Sequence, residues 1–240
     1  MADPTFNRYA GADRAIDRGY FDEGLRQHML RVYNYMGAGL VVTGLVAFLV
    51  STSPALMQAI FATPLKWVVM LAPLAFVMVL SFGINRLSFA SAQAVFWAYC
   101  AAMGLSMAAI FLVFTGASIA LTFFVTAATF LAMSLYGYTT KADLSKMGSF
   151  LVMGVVGILI AGLANLFFQS PALHFAISAI GVLVFTGLAA YDTQAIKEQY
   201  AEGHDHETGG KLALMGALML YLDFINLFQF LLQFLGQREE

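Results

Sequence analysis

Charge is what this sequence has least of: Asp, Glu, Lys and Arg together make up 11% of its residues, where a soluble domain carries about a quarter. So little charge cannot clothe a water-facing surface, and a soluble globular domain is excluded. Cysteine is nearly absent too. Cys100 is the only one, so no intrachain disulfide can form, and its place in an apolar run reads as a buried, inert thiol. A net charge of −2 without a basic run leaves no footprint for a nucleic-acid partner. No nucleotide-binding loop, catalytic Ser and His set or haem-attachment motif appears, so no enzyme chemistry and no cofactor are expected. The last apolar stretch has one lysine, Lys211, at its very beginning, which argues against a retinal-binding protein.

What the chain does have is apolar residues, 60% of the total. They fall into seven long stretches, at 32–52, 64–84, 90–113, 117–138, 147–168, 174–197 and 211–235. A bilayer core about 30 Å thick needs roughly 20 apolar residues per helix. The expected fold is therefore an all-α membrane protein of seven transmembrane helices, with a polar tail at 1–31, a membrane domain at 32–236 and a short tail at 237–240. The charge-alternating first 31 residues lack the short apolar core of a signal peptide. Among the connections only Glu198 to Gly210 looks long enough to hold loop structure. Cytoplasmic segments carry the excess of Lys and Arg. With the amino terminus inside, Arg8, Arg14, Arg18, Arg26, Arg31, Arg86, Lys141, Lys146, Lys197 and Lys211 lie inside, and only Lys66 and Arg238 outside. Seven spans then put the carboxyl terminus on the opposite side, outside an inner membrane if the cell is bacterial.

Within the spans, Gly37, Gly39, Gly44, Gly154, Gly157, Gly181 and Gly187 read as points of close helix packing. Pro73, inside the second span, should kink it. The aromatic residues Tyr221, Phe224, Phe228, Phe230 and Phe234 cover most faces of the last helix, which suits a helix surrounded by protein.

Two acidic residues, Asp192 and Asp223, fall well inside spans, and this is the sharpest chemical signal. An ionised Asp near a helix centre costs roughly 2.5 to 3.5 kcal/mol on insertion scales, so such residues face a bundle interior or a water-filled path and need a partner. The available partners are each other, Arg86 at the inner end of the second span, and the polar neighbours Tyr191, Thr193 and Asn226. Two carboxylates close together in a low dielectric cannot both ionise cheaply, and one proton is expected to be shared. A polar knot that merely sets helix register is the bland alternative. The run Glu202, Gly203, His204, Asp205, His206, Glu207 has ligand-type residues but no familiar zinc spacing, and reads as a solvated loop. His28 and His174 have no visible partner and read as interfacial.

Three segments, LYGYTTKADLSKMG at 135–148, AAYDTQAIK at 189–197 and LYLDFINLFQFLLQFLG at 220–236, carry a resemblance to the Bax inhibitor family in its bacterial branch, extending over nearly all of residues 30–236. The resemblance implies two three-helix layers around a central C-terminal helix, and a pH-sensitive calcium leak in which an aspartate pair, here Asp192 and Asp223, senses pH while an arginine, here Arg86, latches the pore. Calcium and protons would be the permeant and gating ions. Some members carry an acidic residue in the second helix where this sequence has Ala75, which puts the ion preference in question. Two other classes compete. One is a non-channel regulator of a membrane protease or stress response, with residues 1–31 as the contact. The other is an intramembrane aspartyl protease, disfavoured because Tyr221 and Leu222 stand where that family has glycines.

Overall fold

In the computed structural model, which describes residues 4–200 and 206–238 with the side chains of 4–22 and of His206 excepted, the chain is helical almost throughout. The helices are α1 (Pro4–Ser51), α2 (Pro54–Phe61), α3 (Leu65–Gly83), α4 (Phe89–Met107), α5 (Gly116–Thr139), α6 (Ser145–Phe168), α7 (Pro171–Glu198) and α8 (His206–Leu235), with a 3-10 segment, Ala108–Leu112, continuing α4. Seven of them, all but α2, contain a segment long and apolar enough to cross a membrane. Each falls on a stretch expected from hydropathy.

Hydroxyl residues set several of the helix starts. Ser53, Ser88, Thr115 and Ser170 each accept a hydrogen bond from the amide three residues on, capping α2, α4, α5 and α7; Pro54 and Pro171 occupy the first helical position, where a missing N–H costs nothing. Thr115 separates the third span from the fourth, which hydropathy leaves almost fused. The turn from α6 to α7 needs a left-handed residue, and Gln169 supplies it at φ 48°.

Three segments carry structure that hydropathy does not show. The first span is part of one continuous helix, Pro4–Ser51, and among the residues with described side chains its membrane-competent segment, Glu23–Ser51, includes residues expected to be tail. Leu25 and Met29 are buried there because their spacing continues the apolar stripe of α1 into the core. The connection between the first two spans, too short on hydropathy for structure of its own, holds α2, whose Met57 and Ile60 pack with Val50, Val69 and Ala108 in a small second core. At the other end Gln237 is strapped down: its carbonyl accepts from Thr115 N at 3.0 Å and its amide donates to Ser118 Oγ at 2.9 Å.

The helices form two layers. α4 packs against α1 and α3 in one, and α7 against α5 and α6 in the other. Between them α8 touches α1, α4, α5 and α7. Of its apolar window 67% is buried, against 11% for α3 and α6, so α8 is the axis and α3 and α6 face outward. Tyr221, Phe224 and Phe228 are buried as the aromatic pattern implies, whereas Phe234 is exposed at the end of α8, against Phe175. Phe82, Phe167, Phe168 and Leu183 stand outward on the lipid-facing surface. Helix α3 continues through a buried Pro73.

Candidate functional site

Helix α7 brings Asp192 to the layer junction about two turns from its end, and α8 brings Asp223 there from its middle. Asp223 is 4% exposed and Asp192 half-buried. Their carboxyl groups face one another. An ionised carboxylate can only accept, so a hydrogen bond between them needs a proton on one. Oδ2 of Asp223 is buried, where a polar atom without a partner is costly, and Asp192 is the polar group that faces this carboxyl.

None of the cations that could neutralise this pair forms an ion pair with it among the described residues. Lys197 Nζ donates to the Tyr138 carbonyl at 2.8 Å and lies 5.2 Å from the Tyr138 ring, closing the C-terminal end of α5. Lys211 pairs with Glu207 at 2.9 Å. Arg86, expected as the latch, is exposed beyond the end of α3 and forms no ion pair among the described residues. Nor do the three expected polar neighbours bond to the pair among the described residues. Tyr191 lies over Gly148 of α6, Asn226 Nδ2 donates back to the Leu222 carbonyl at 2.8 Å, and Thr193 bonds Ala189 O at 2.7 Å and Ser134 Oγ at 2.8 Å. Ala75 is exposed on α3.

Around the pair runs a scaffold that sequence reasoning missed. Ser134 also bonds the Tyr33 hydroxyl, so a hydroxyl chain Tyr33, Ser134, Thr193 ties α1 to α5 and α7. Further along α1, Thr43 bonds Tyr221 OH at 2.6 Å and donates to Cys100 O at 2.9 Å, tying α1 to α8 and α4. Gln194 pins the connection after α5: its Oε1 accepts from Leu144 N at 2.8 Å and its Nε2 donates to Ala142 O at 2.9 Å. Gly137 lets α5 approach α7 so closely that a Cβ there would run into the backbone of Ala190. The segments 135–148 and 189–197 therefore form one interlocked unit that sets the position of Asp192. The signal was available, since Ser134 and Gln194 are polar residues in apolar runs, but neither carries the cost that made the aspartates conspicuous.

Of the glycines expected to mark close packing, Gly39, Gly154, Gly181 and Gly187 do so, while Gly37, Gly44 and Gly157 have nothing within 4 Å of the place a Cβ would take. Cys100 is buried and free. His28 has a partner after all, its ring centroid lying 5.6 Å from that of Tyr200; His174 is exposed at the start of α7. The 202–207 run lies outside the described residues except for Glu207 and the backbone of His206, and no group of three potential metal ligands occurs among those described.

A sequence profile of the family described as "Inhibitor of apoptosis-promoting Bax1" matches residues 25–240. The chain is 46% identical over 218 residues to a protein of Escherichia coli named inner membrane protein YbhL, covering 90% of this chain and 93% of that one. It is 47% identical over 220 residues to a Rickettsia prowazekii protein, covering 92% and 93%, and 44% identical over 247 residues to a protein of Caulobacter vibrioides, covering 98% and 99%.

Proposed function

This chain belongs to the Bax inhibitor family, and from that premise we propose that it is a pH-responsive, calcium-permeable leak of an inner membrane. The observation that carries the reading is the approach of the Asp192 and Asp223 carboxyls across α7 and α8. One proton holds that contact together, and its loss leaves two like charges facing each other in a low dielectric. The pair joins the axial helix to one layer, so protonation biases how α7 sits on α8. The buried carboxyl of Asp223 offers acceptor oxygens to a cation moving along α8. In this reading Arg86 is the latch of another state: unpaired among the described residues here, it would close the cytoplasmic end by a charge-assisted contact with the pair. The amino terminus is cytoplasmic and the carboxyl terminus on the opposite face, following the distribution of Lys and Arg.

The test is calcium flux into proteoliposomes of the purified protein over a pH series, with Asp192→Asn and Asp223→Asn beside the native chain. Native flux should depend on pH, and Asp192→Asn should abolish that dependence. An unchanged pH profile in the variant refutes the gating role. A folded native protein that passes no calcium at any pH refutes the leak, and a regulator acting on a membrane protease then replaces it.

A further inference from the structure

A cleft of about 450 Å³ opens between α1 and α4, lined by Gln27, Leu30, Arg31, Asn34, Tyr35 and Trp97. Arg31 forms no ion pair among the described residues, in contrast to Arg26 one turn earlier, which pairs with Glu23 at 3.3 Å. Roughly twenty residues separate Arg31 from Ser51 at the far end of α1, about 30 Å at the helical rise, which is the thickness of the hydrocarbon core. With Ser51 at one boundary, the guanidinium stands at the other, where phosphate groups lie.

The remaining lining fits the same ligand. Tyr35 OH accepts from Gln93 Nε2 at 3.0 Å, which leaves its own proton free to donate. Asn34 adds an amide donor, and Gln27, whose Nε2 donates to Glu23 at 3.1 Å, keeps a second amide proton for the cleft. Trp97, with its ring centroid 6.2 Å from that of Tyr35, presents an amphipathic indole at the level where glycerol gives way to acyl chain. Leu30 supplies apolar surface beside it. Among the described residues no acidic side chain lines the cleft, Glu23 being held beyond its rim by Arg26 and Gln27.

We propose that this cleft is a binding site for one anionic phospholipid, its phosphate held by Arg31, Tyr35, Gln27 and Asn34 and its acyl chains leaving past Trp97 and Ala38. The inference needs neither ion flux nor a particular orientation of the chain, so it stands or falls separately from the proposed leak.

The experiment is native mass spectrometry of the full chain reconstituted with phosphatidylglycerol or phosphatidylcholine and then extracted in detergent. The native protein should retain phosphatidylglycerol in preference to phosphatidylcholine. Arg31→Gln should lower that retention about fivefold, the worth of one basic residue at a lipid surface. Arg26→Gln, outside the cleft, should not. Asn34→Glu, which places a carboxylate beside the phosphate, should match or exceed the loss in Arg31→Gln, and it decides the matter if Arg31→Gln does not fold. Equal retention of the two lipids by the native chain, or undiminished phosphatidylglycerol on folded Arg31→Gln or Asn34→Glu, overturns the proposal. So does displacement of the lipid by millimolar glycerol phosphate, which would mark a site for a soluble anion.

Discussion

Gly137→Ala adds one methyl group where α5 crosses α7, and the structure makes its consequence calculable. The new Cβ would run into the carbonyl oxygen of Ala190 and lie 2.8 Å from its carbonyl carbon and 2.9 Å from its Cα. Carbon atoms in van der Waals contact sit about 3.5–4.0 Å apart, so the helices must part by about 1 Å. The obstacle is backbone, which cannot rotate away as a side chain would. Overpacking of this kind costs about 1–3 kcal/mol. Against it stands the preference of a helix for Ala over Gly, about 1 kcal/mol. A fair control is Gly157→Ala on the exposed face of α6, where a Cβ meets nothing within 4 Å and only the propensity gain remains. The two variants should therefore differ by about 1–3 kcal/mol, and at about 2–4 °C per kcal/mol for a chain of this size their melting temperatures should separate by several degrees, with Gly137→Ala the lower. Thermal unfolding of both in the same detergent measures this. Equal melting temperatures, or a more stable Gly137→Ala, would refute the close approach of α5 and α7 and with it the account of how Asp192, two residues past Ala190, is positioned.

Gln194→Leu removes both hydrogen bonds that pin the 140–144 connection and orphans the Leu144 amide and the Ala142 carbonyl, a loss of about 1–3 kcal/mol. Trypsin should cut at Lys141 faster than in the native chain, and an unchanged cleavage rate would show that the clamp does not hold the connection. Asp143 accepts from the Ser145 amide at 2.9 Å, and hydrogen bonds from the Ser145 side chain and backbone, with Lys146 nearby, hold its carboxyl below the usual range. A folded-state pKa below the unfolded value of about 3.9 means that its stabilisation is complete above that value and disappears as pH falls through the folded one. Hydrogen-exchange protection at the start of α6 should accordingly fall in acid in the native chain and lose that acid dependence in Asp143→Asn. The same acid response in both would remove Asp143 as its source.

Hydropathy alone determined that the chain has seven membrane-competent helices, because the bilayer demands long unbroken apolar runs and punishes charge within them. For the same reason Asp192 and Asp223 were conspicuous: their cost is a property of each residue and its depth. The helical run into the supposed tail and the short helix α2 were not legible, since the first is rich in charge and the second too short for a span. Only the tertiary structure decided that the two carboxyls face one another, that Asp223 is buried, and that Arg86, Tyr191, Thr193 and Asn226 turn to other contacts or to none. Those outcomes depend on which face each helix presents and how near its neighbour comes. Here the nearness is set by single atoms, such as the missing Cβ of Gly137 and the amide of Gln194, whose effect arises only once α5 and α7 are packed together.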